Sequence, residues 1–204
     1  MAKRGRPRGS TREPAVLAPL DIRKVLRHAR QRGRLEARAE VVLALTLGLG
    51  LSASELVALD CADVYDSKGR VRTTLAIRAP SQSRGRRRVV ALASPYVKSV
   101  LSGYGEQCIP WRATASNEPL FVGQKCARLS TNSMARFLTA LYREAGISGA
   151  TSGSGRRTLI IRLAEAGITP QTIAHFLGRS DVRSVTSKIV SDEAQFMAAL
   201  RDAI

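Results

Sequence analysis

Aromatic side chains are scarce in this sequence: four Phe, four Tyr and one Trp, 4% of 204 residues. A surface that stacks unpaired bases needs several exposed rings, so single-strand stacking is not the expected mode of action. Histidine is scarcer still. His28 and His175 are the only two, too few to build a histidine-based catalytic or metal centre. His175 falls on an apolar helical segment and is expected at a core boundary. The three cysteines, Cys61, Cys108 and Cys126, lack CxxC spacing and fit a reduced interior better than disulfides or zinc. No cofactor or metal is expected. The sequence has no apolar run of 18 or more residues, and its basic N-terminus lacks a following apolar stretch. A membrane-spanning helix and a secretory signal are therefore not expected, and the expected location is cytoplasmic. Acidic residues number 16 against 33 Lys and Arg, a net charge of +17. Internal ion pairs cannot absorb that excess. It points to a polyanionic partner, nucleic acid first, with anionic membrane as the rival.

What is present is enough for one substantial domain plus an arm, with 44% apolar residues to form a core. Residues 1–19 carry Lys3, Arg4, Arg6, Arg8 and Arg12 among Pro7, Pro14 and Pro19, the composition of a disordered basic arm. A first helix is expected from about Asp21, with Ile22, Val25 and Leu26 inward. EVVLALTLGLGL (40–51) is apolar on every face, which predicts a buried helix. Ser52 followed by Glu55 is a capping box that should start another. VRTTLAIR (71–78) alternates, and RVVAL (88–92) follows a polar turn, so 71–92 reads as a β-hairpin. Helices are expected from Ser94, from Ser130 or Thr131, after the glycine-rich loop 148–155, from Thr169 to Gly178, and again within SDVRSVTSKI and the C-terminal DEAQFMAALRDAI. Trp111, beside Pro110, is expected to pack a connecting segment. The fold class is mainly α with a small antiparallel β-sheet (α+β), divided into an arm (1–19) and a DNA-binding domain (20–204).

Four phrases, in this order, resemble the catalytic domain of tyrosine recombinases, the phage integrases. They are LGLGLSASELVALDCADV, LAIRAPSQSRGRRRVVAL, TSGSGRRTLIIRLAEAGI and TPQTIAHFLGRSDVRSVTSKI. The resemblance covers roughly residues 20–190. It implies a fold that wraps duplex DNA and, in active members, a tyrosine nucleophile assisted by two arginines, a lysine and a histidine. Carried across position by position, the first arginine falls at Ser52, the hairpin lysine at or near Ser83, and the histidine of the HxxR motif at Gly153. The second His or Trp falls at Arg179, and the tyrosine at about Lys188. Arg156, the arginine of HxxR, and Glu55, at the acidic position, remain. No tyrosine follows Tyr142. A phosphoryl-transfer centre without its nucleophile has no covalent route, and each lost cation costs a factor of roughly 100 to 1,000 in rate. The expectation is a recombinase-like chain that is not an enzyme.

The remaining expectation is a DNA clamp. Arg84, Arg86, Arg87 and Arg88 on the hairpin, Arg156 and Arg157, and Arg179, Arg183 and Lys188 are candidate phosphate contacts. Asn132, Ser133 and Arg136, on the helix that enters a groove in the resembled family, are candidate base readers. A second reading makes 169–189 a helix-turn-helix with its recognition helix near 181–188. Lys3, Arg4, Gly5, Arg6, Pro7 and Arg8 contain an RGRP core that resembles an AT-hook. Glycine lets such a core lie deep in an A·T-rich minor groove while two arginines follow its floor. A generic basic tail is the alternative. The C-terminal helix could dock on a second copy of the chain. Three functions stay open: a noncatalytic sequence-specific regulator of a plasmid or other mobile element, a recombinase subunit, and an architectural or partition protein. In each the protein is expected at bacterial nucleoid or plasmid DNA.

Overall fold

A computed structural model describes residues 14–32, 37–78, 88–108, 117–123 and 127–178, together with 182–183, 185–187 and 189. The elements run α1 (Pro19–Gln31), α2 (Ala37–Leu49), α3 (Ala53–Ala58), α4 (Cys61–Val64), β1 (Thr74–Ile77), β2 (Arg88–Ala91), α5 (Pro95–Cys108), α6 (Thr131–Glu144), α7 (Ser154–Glu165) and α8 (Pro170–Phe176). The class expected from the sequence, helical with one small antiparallel sheet, is the class observed.

The all-round apolar segment behaves as its composition dictates. Val41 through Thr46 are fully buried in α2, and α2 touches α1, α5, α6 and α7. Burying one Leu or Val side chain contributes about 1.5 to 3 kcal/mol, so this helix is the chief organiser of the core. Thr46 is tolerated inside because its Oγ1 bonds back to the carbonyls of Val42 and Leu43 at 3.0 Å. In the hairpin β1 and β2 pair antiparallel, Leu75 with Val90 and Ile77 with Arg88. Leu75, Ile77 and Val90 face the core. Thr73, in the same alternating register as Leu75 and Ile77, is exposed, although its carbonyl still accepts from the Leu92 N–H at 2.8 Å.

The caps follow the sequence closely. Ser52 caps α3, Ser130 caps α6, and Thr169 caps α8. Gly167 and Gly178 end their helices at positive φ (80° and 64°). Three boundaries differ from expectation. Pro19 opens α1 at its first turn, where a missing N–H costs nothing. Residues 14–18 have no regular secondary structure, and Leu17 is 3% exposed, so burial begins within residues assigned above to the arm. The glycine-rich loop stops at Gly153, since Ser154 and Gly155 are already helical and buried. His175 is exposed rather than at a core boundary. Trp111, Cys126 and the C-terminal helix lie outside the described residues. Among the described residues no helix is long and apolar enough to cross a membrane.

A smaller apolar cluster lies beyond α7: Ile160, Ile173, Ala174, Leu177 and Val185. It joins α8 and the turn at Val182–Val185 to α7. The turn after α2 then meets this layer. Gly50 has φ 66°, and a Cβ there would lie 2.8 Å from Leu177 Cδ2 and 3.0 Å from Leu159 Cδ2. Only glycine allows that approach, and it brings the start of α3 against α7 and α8.

Candidate functional site

That junction gathers a carboxylate and two arginines from three distant stretches. Glu55 is 8% exposed. Its Oε2 accepts bonds from the Ser52 N–H (2.8 Å) and the Ser52 hydroxyl (2.7 Å), while Ser52 Oγ accepts from the Glu55 N–H (3.3 Å). This is the capping box, closed in both directions. Arg156 Nη1 donates to the same Oε2 at 2.6 Å, and Arg156 Nη2 to the Leu177 carbonyl at 3.0 Å. Arg88 Nε lies 3.4 Å from Glu55 Oε1. Arg88 also donates to the carbonyls of Phe176 (2.5 Å) and Leu49 (3.3 Å), with its guanidinium over the Phe176 ring.

The electrostatics follow from this packing. Burial acts to raise the Glu55 pKa, but Arg156, Arg88 and the Ser52 bonds outweigh it, and the carboxyl is held below its ordinary value. Burial lowers the Arg88 pKa, and Glu55 partly restores it. One carboxylate with two guanidiniums leaves a local charge of +1 at the joint of α3, β2, α7 and α8.

Two candidate phosphate contacts are corrected by the structure. Arg88 is not on the hairpin turn. It opens β2 and points inward, 7% exposed, because it shares the core face with Val90 and Leu92. Arg157 is 2% exposed, on the α7 face that also buries Ser154, Thr158 and Ile161. Neither side chain is presented to solvent in this fold. The signal for both was in the sequence: Arg88, Val90 and Leu92 alternate with period two, and 154, 157, 158 and 161 form one helical face. Arg156 is nearly buried as well, its side chain 13% exposed.

Other candidates remain accessible. Asn132 and Arg136 are exposed on α6 and, four residues apart, share one face. Arg136 has no ion-pair partner among the described residues. Ser133 is exposed too, but its hydroxyl lies 2.9 Å from that of the cap residue Ser130. Arg183 is exposed beside the buried Val185. Gly153 precedes α7, and the space that a side chain would fill there is taken by the Pro14 ring. Lys3, Arg4, Gly5, Arg6, Pro7, Arg8, Ser83, Arg84, Arg86, Arg87, Arg179 and Lys188 lie outside the described residues. Sequence reasoning missed a second network, in which Asp60 and Asp63 are buried and hold Arg78 (2.6 and 3.2 Å), while Arg128 reaches Asp60 at 2.5 Å. It ties β1 and the approach to α6 onto α4.

All four tyrosines are among the described residues, and none of their side chains is fully exposed. Tyr65 donates to the Leu101 carbonyl (2.8 Å), Tyr96 to Glu40 (2.8 Å) and Tyr104 to the Leu120 carbonyl (3.1 Å). Tyr142 is fully buried, its hydroxyl packed against Thr46 and Gly155. Burial raises all four pKa values, those of Tyr96 and Tyr142 to about 12.

A family model described as the phage integrase family matches residues 15–192. The chain belongs to that family. Solved structures agree on the fold. The XerA recombinase is 21% identical with a TM-score of 0.66, over 91% of this chain and 61% of that one. The XerH site-specific recombinase, bound to a palindromic difH substrate in a post-cleavage complex, is 17% identical with a TM-score of 0.68, over 92% of this chain and 52% of that one. The Tn1549 transposon integrase, in complex with transposon right-end DNA, is 17% identical with a TM-score of 0.67, over 92% and 68%. The chain thus spans about three fifths of the XerA chain, and at these identities the likeness is one of fold. A comparison with curated proteins gave no match.

Proposed function

We propose that this chain binds double-stranded DNA, sequence-specifically and without cutting it, as a regulator of a plasmid or other mobile element. The observation that carries the reading is the state of Arg156 and Glu55. Each is engaged inside the protein, Arg156 by Glu55 and the Leu177 carbonyl, Glu55 by two arginines and the Ser52 cap. An arginine that stabilises a reacting phosphate must aim donors at the position where charge develops. In this chain the donors described for Arg156 point into the fold. Ser52, at the position where the family resemblance expects an arginine, performs a capping role. The tyrosines support the same reading: Tyr65, Tyr104 and Tyr142 are buried and Tyr96 donates to Glu40, so none aims its hydroxyl at a bound phosphodiester.

DNA binding is supported by the charge of +17 and by family membership. Asn132 and Arg136 are the base readers of this reading, and Arg183 a backbone contact. Regulation is what a site-specific binder without chemistry can do. The second reading, a recombinase subunit, draws on the family itself and on neighbours named as recombinases; it requires a nucleophile supplied by another chain.

One experiment separates the two. The protein is incubated with nicked suicide duplexes carrying its selected binding site, and the products are denatured in detergent. The expected result is a salt-sensitive complex that dissociates completely. A detergent-stable protein–DNA adduct, with or without a partner recombinase, overturns the noncatalytic reading.

A further inference from the structure

The residues before α1 are attached to the rest of the fold at one end of α7. The Leu17 N–H donates to Thr158 Oγ1 at 2.9 Å across 141 residues of sequence, and Leu17 itself is buried. Thr158 is 1% exposed, and its hydroxyl is spent on the Ser154 carbonyl at 2.8 Å, so the oxygen is fixed as an acceptor for Leu17. Pro14 lies on Gly153: a Cβ built there would stand 2.9 Å from Pro14 Cγ and 3.5 Å from Pro14 Cβ. The φ of Gly153 is −89°, which any residue adopts. Glycine is required at 153 by the proline ring above it and not by the backbone. Gly153 is the residue before α7, and Arg156 is the third residue of that helix.

We propose that residues 14–18 form an anchor that fixes where the basic arm leaves the domain, so that the arm and the domain hold one duplex together. The proposal rests on the DNA-binding reading above and adds a positioning role for Pro14, Leu17, Gly153 and Thr158. Its consequence is quantitative. Arg12, the last arm cation, is two residues from Pro14 and seven from Pro19, where α1 would hold the chain if the anchor were released. The effective concentration of a tethered group falls roughly as the −3/2 power of tether length, so release dilutes the arm at the duplex by about sixfold.

The test uses full-length protein and a double-mutant cycle. Gly153→Ala places a methyl group against the Pro14 ring. Thr158→Val, the second route to release, removes the acceptor for Leu17. Each is made in the native arm and in an arm whose Lys3, Arg4, Arg6, Arg8 and Arg12 are changed to Gln, and thermal melting confirms the fold. The expected result is about sixfold weaker duplex binding for each release variant with the native arm, and no change with the neutral arm. Equal losses with both arms, or no loss with the native arm, overturn the anchor while leaving DNA binding intact. Failure of the wild-type protein to bind duplex overturns the DNA-binding reading itself, and the anchor with it.

Discussion

Glu55→Gln is the substitution on which the account of the α3–α7 junction can be broken. Gln keeps the shape of Glu and one acceptor oxygen for Arg156, but removes the charge that two guanidiniums share. Arg88 is 7% exposed and stays buried with two carbonyls for company. Removing one partner of a buried ion pair costs about 3 to 5 kcal/mol, because the other charge is left uncompensated. The retained acceptor and the partial exposure of Arg156 place the expected loss at the low end, about 3 kcal/mol. For a domain of this size that lowers the melting temperature by roughly 6 to 12 °C. Urea denaturation near neutral pH measures the loss directly.

The pH dependence fixes the cause. The Glu55 pKa is depressed in the folded chain relative to its ordinary value near 4.5. Its charge therefore stabilises the fold above that value, and the stabilisation is lost as pH falls through the folded pKa. The gap between wild type and Glu55→Gln should be constant from pH 5 to 8, then close below about pH 4.5 as the native carboxyl takes up its proton. A gap under about 0.5 kcal/mol near neutrality, the size of an ordinary surface substitution, refutes the buried cluster. A gap that widens in acid refutes the assignment of the charge.

Two further outcomes test the surface. Arg136→Ala should weaken binding to the selected site by about 1 to 3 kcal/mol and binding to random duplex much less, whereas Arg183→Ala should weaken both alike; titration of both variants on both duplexes reverses the assignment if the pattern is exchanged. Arg157→Met should leave the slope of log affinity against log salt unchanged, because a side chain 2% exposed makes no phosphate contact; a fall in slope of about one unit would put Arg157 back among the phosphate ligands.

Much of the fold was legible because its signals are local. The capping box at Ser52, the caps at Ser130 and Thr169, the stops at Gly167 and Gly178 and the all-apolar α2 depend on residues within a turn or two of each other. The site was only partly legible. That Arg88 and Arg157 point inward follows from periodicities already in the sequence, but a run of arginines beside glycine is more readily taken for a phosphate-binding surface. Two contacts had no local signal. Leu17 meets Thr158 only after the chain has folded, and Arg128 finds Asp60 across 68 residues. No spacing rule reaches that far.

The corrected burial also moves the place where the excess charge can act. Arg78, Arg88 and Arg156 are bound to Asp60, Asp63 and Glu55. Arg30, Arg32 and Arg70 are paired with Glu40, Glu144 and Asp66. A cation already paired with a carboxylate offers a phosphate backbone less net charge than an unpaired one. What stays accessible among the described residues includes Arg136 on α6, and Arg23, Lys24 and Arg27 on the outer side of α1. Arg23 and Arg27 are one turn apart, opposite the buried Val25 and Ala29. The strap at Leu17 leads directly into that helix. A duplex held at α7 by the arm would therefore meet its next cations on α1 rather than at the centre that the family resemblance marks for chemistry. On the proposed reading the grip and the reactive position are separable in this chain, and that separation would let binding persist without cleavage.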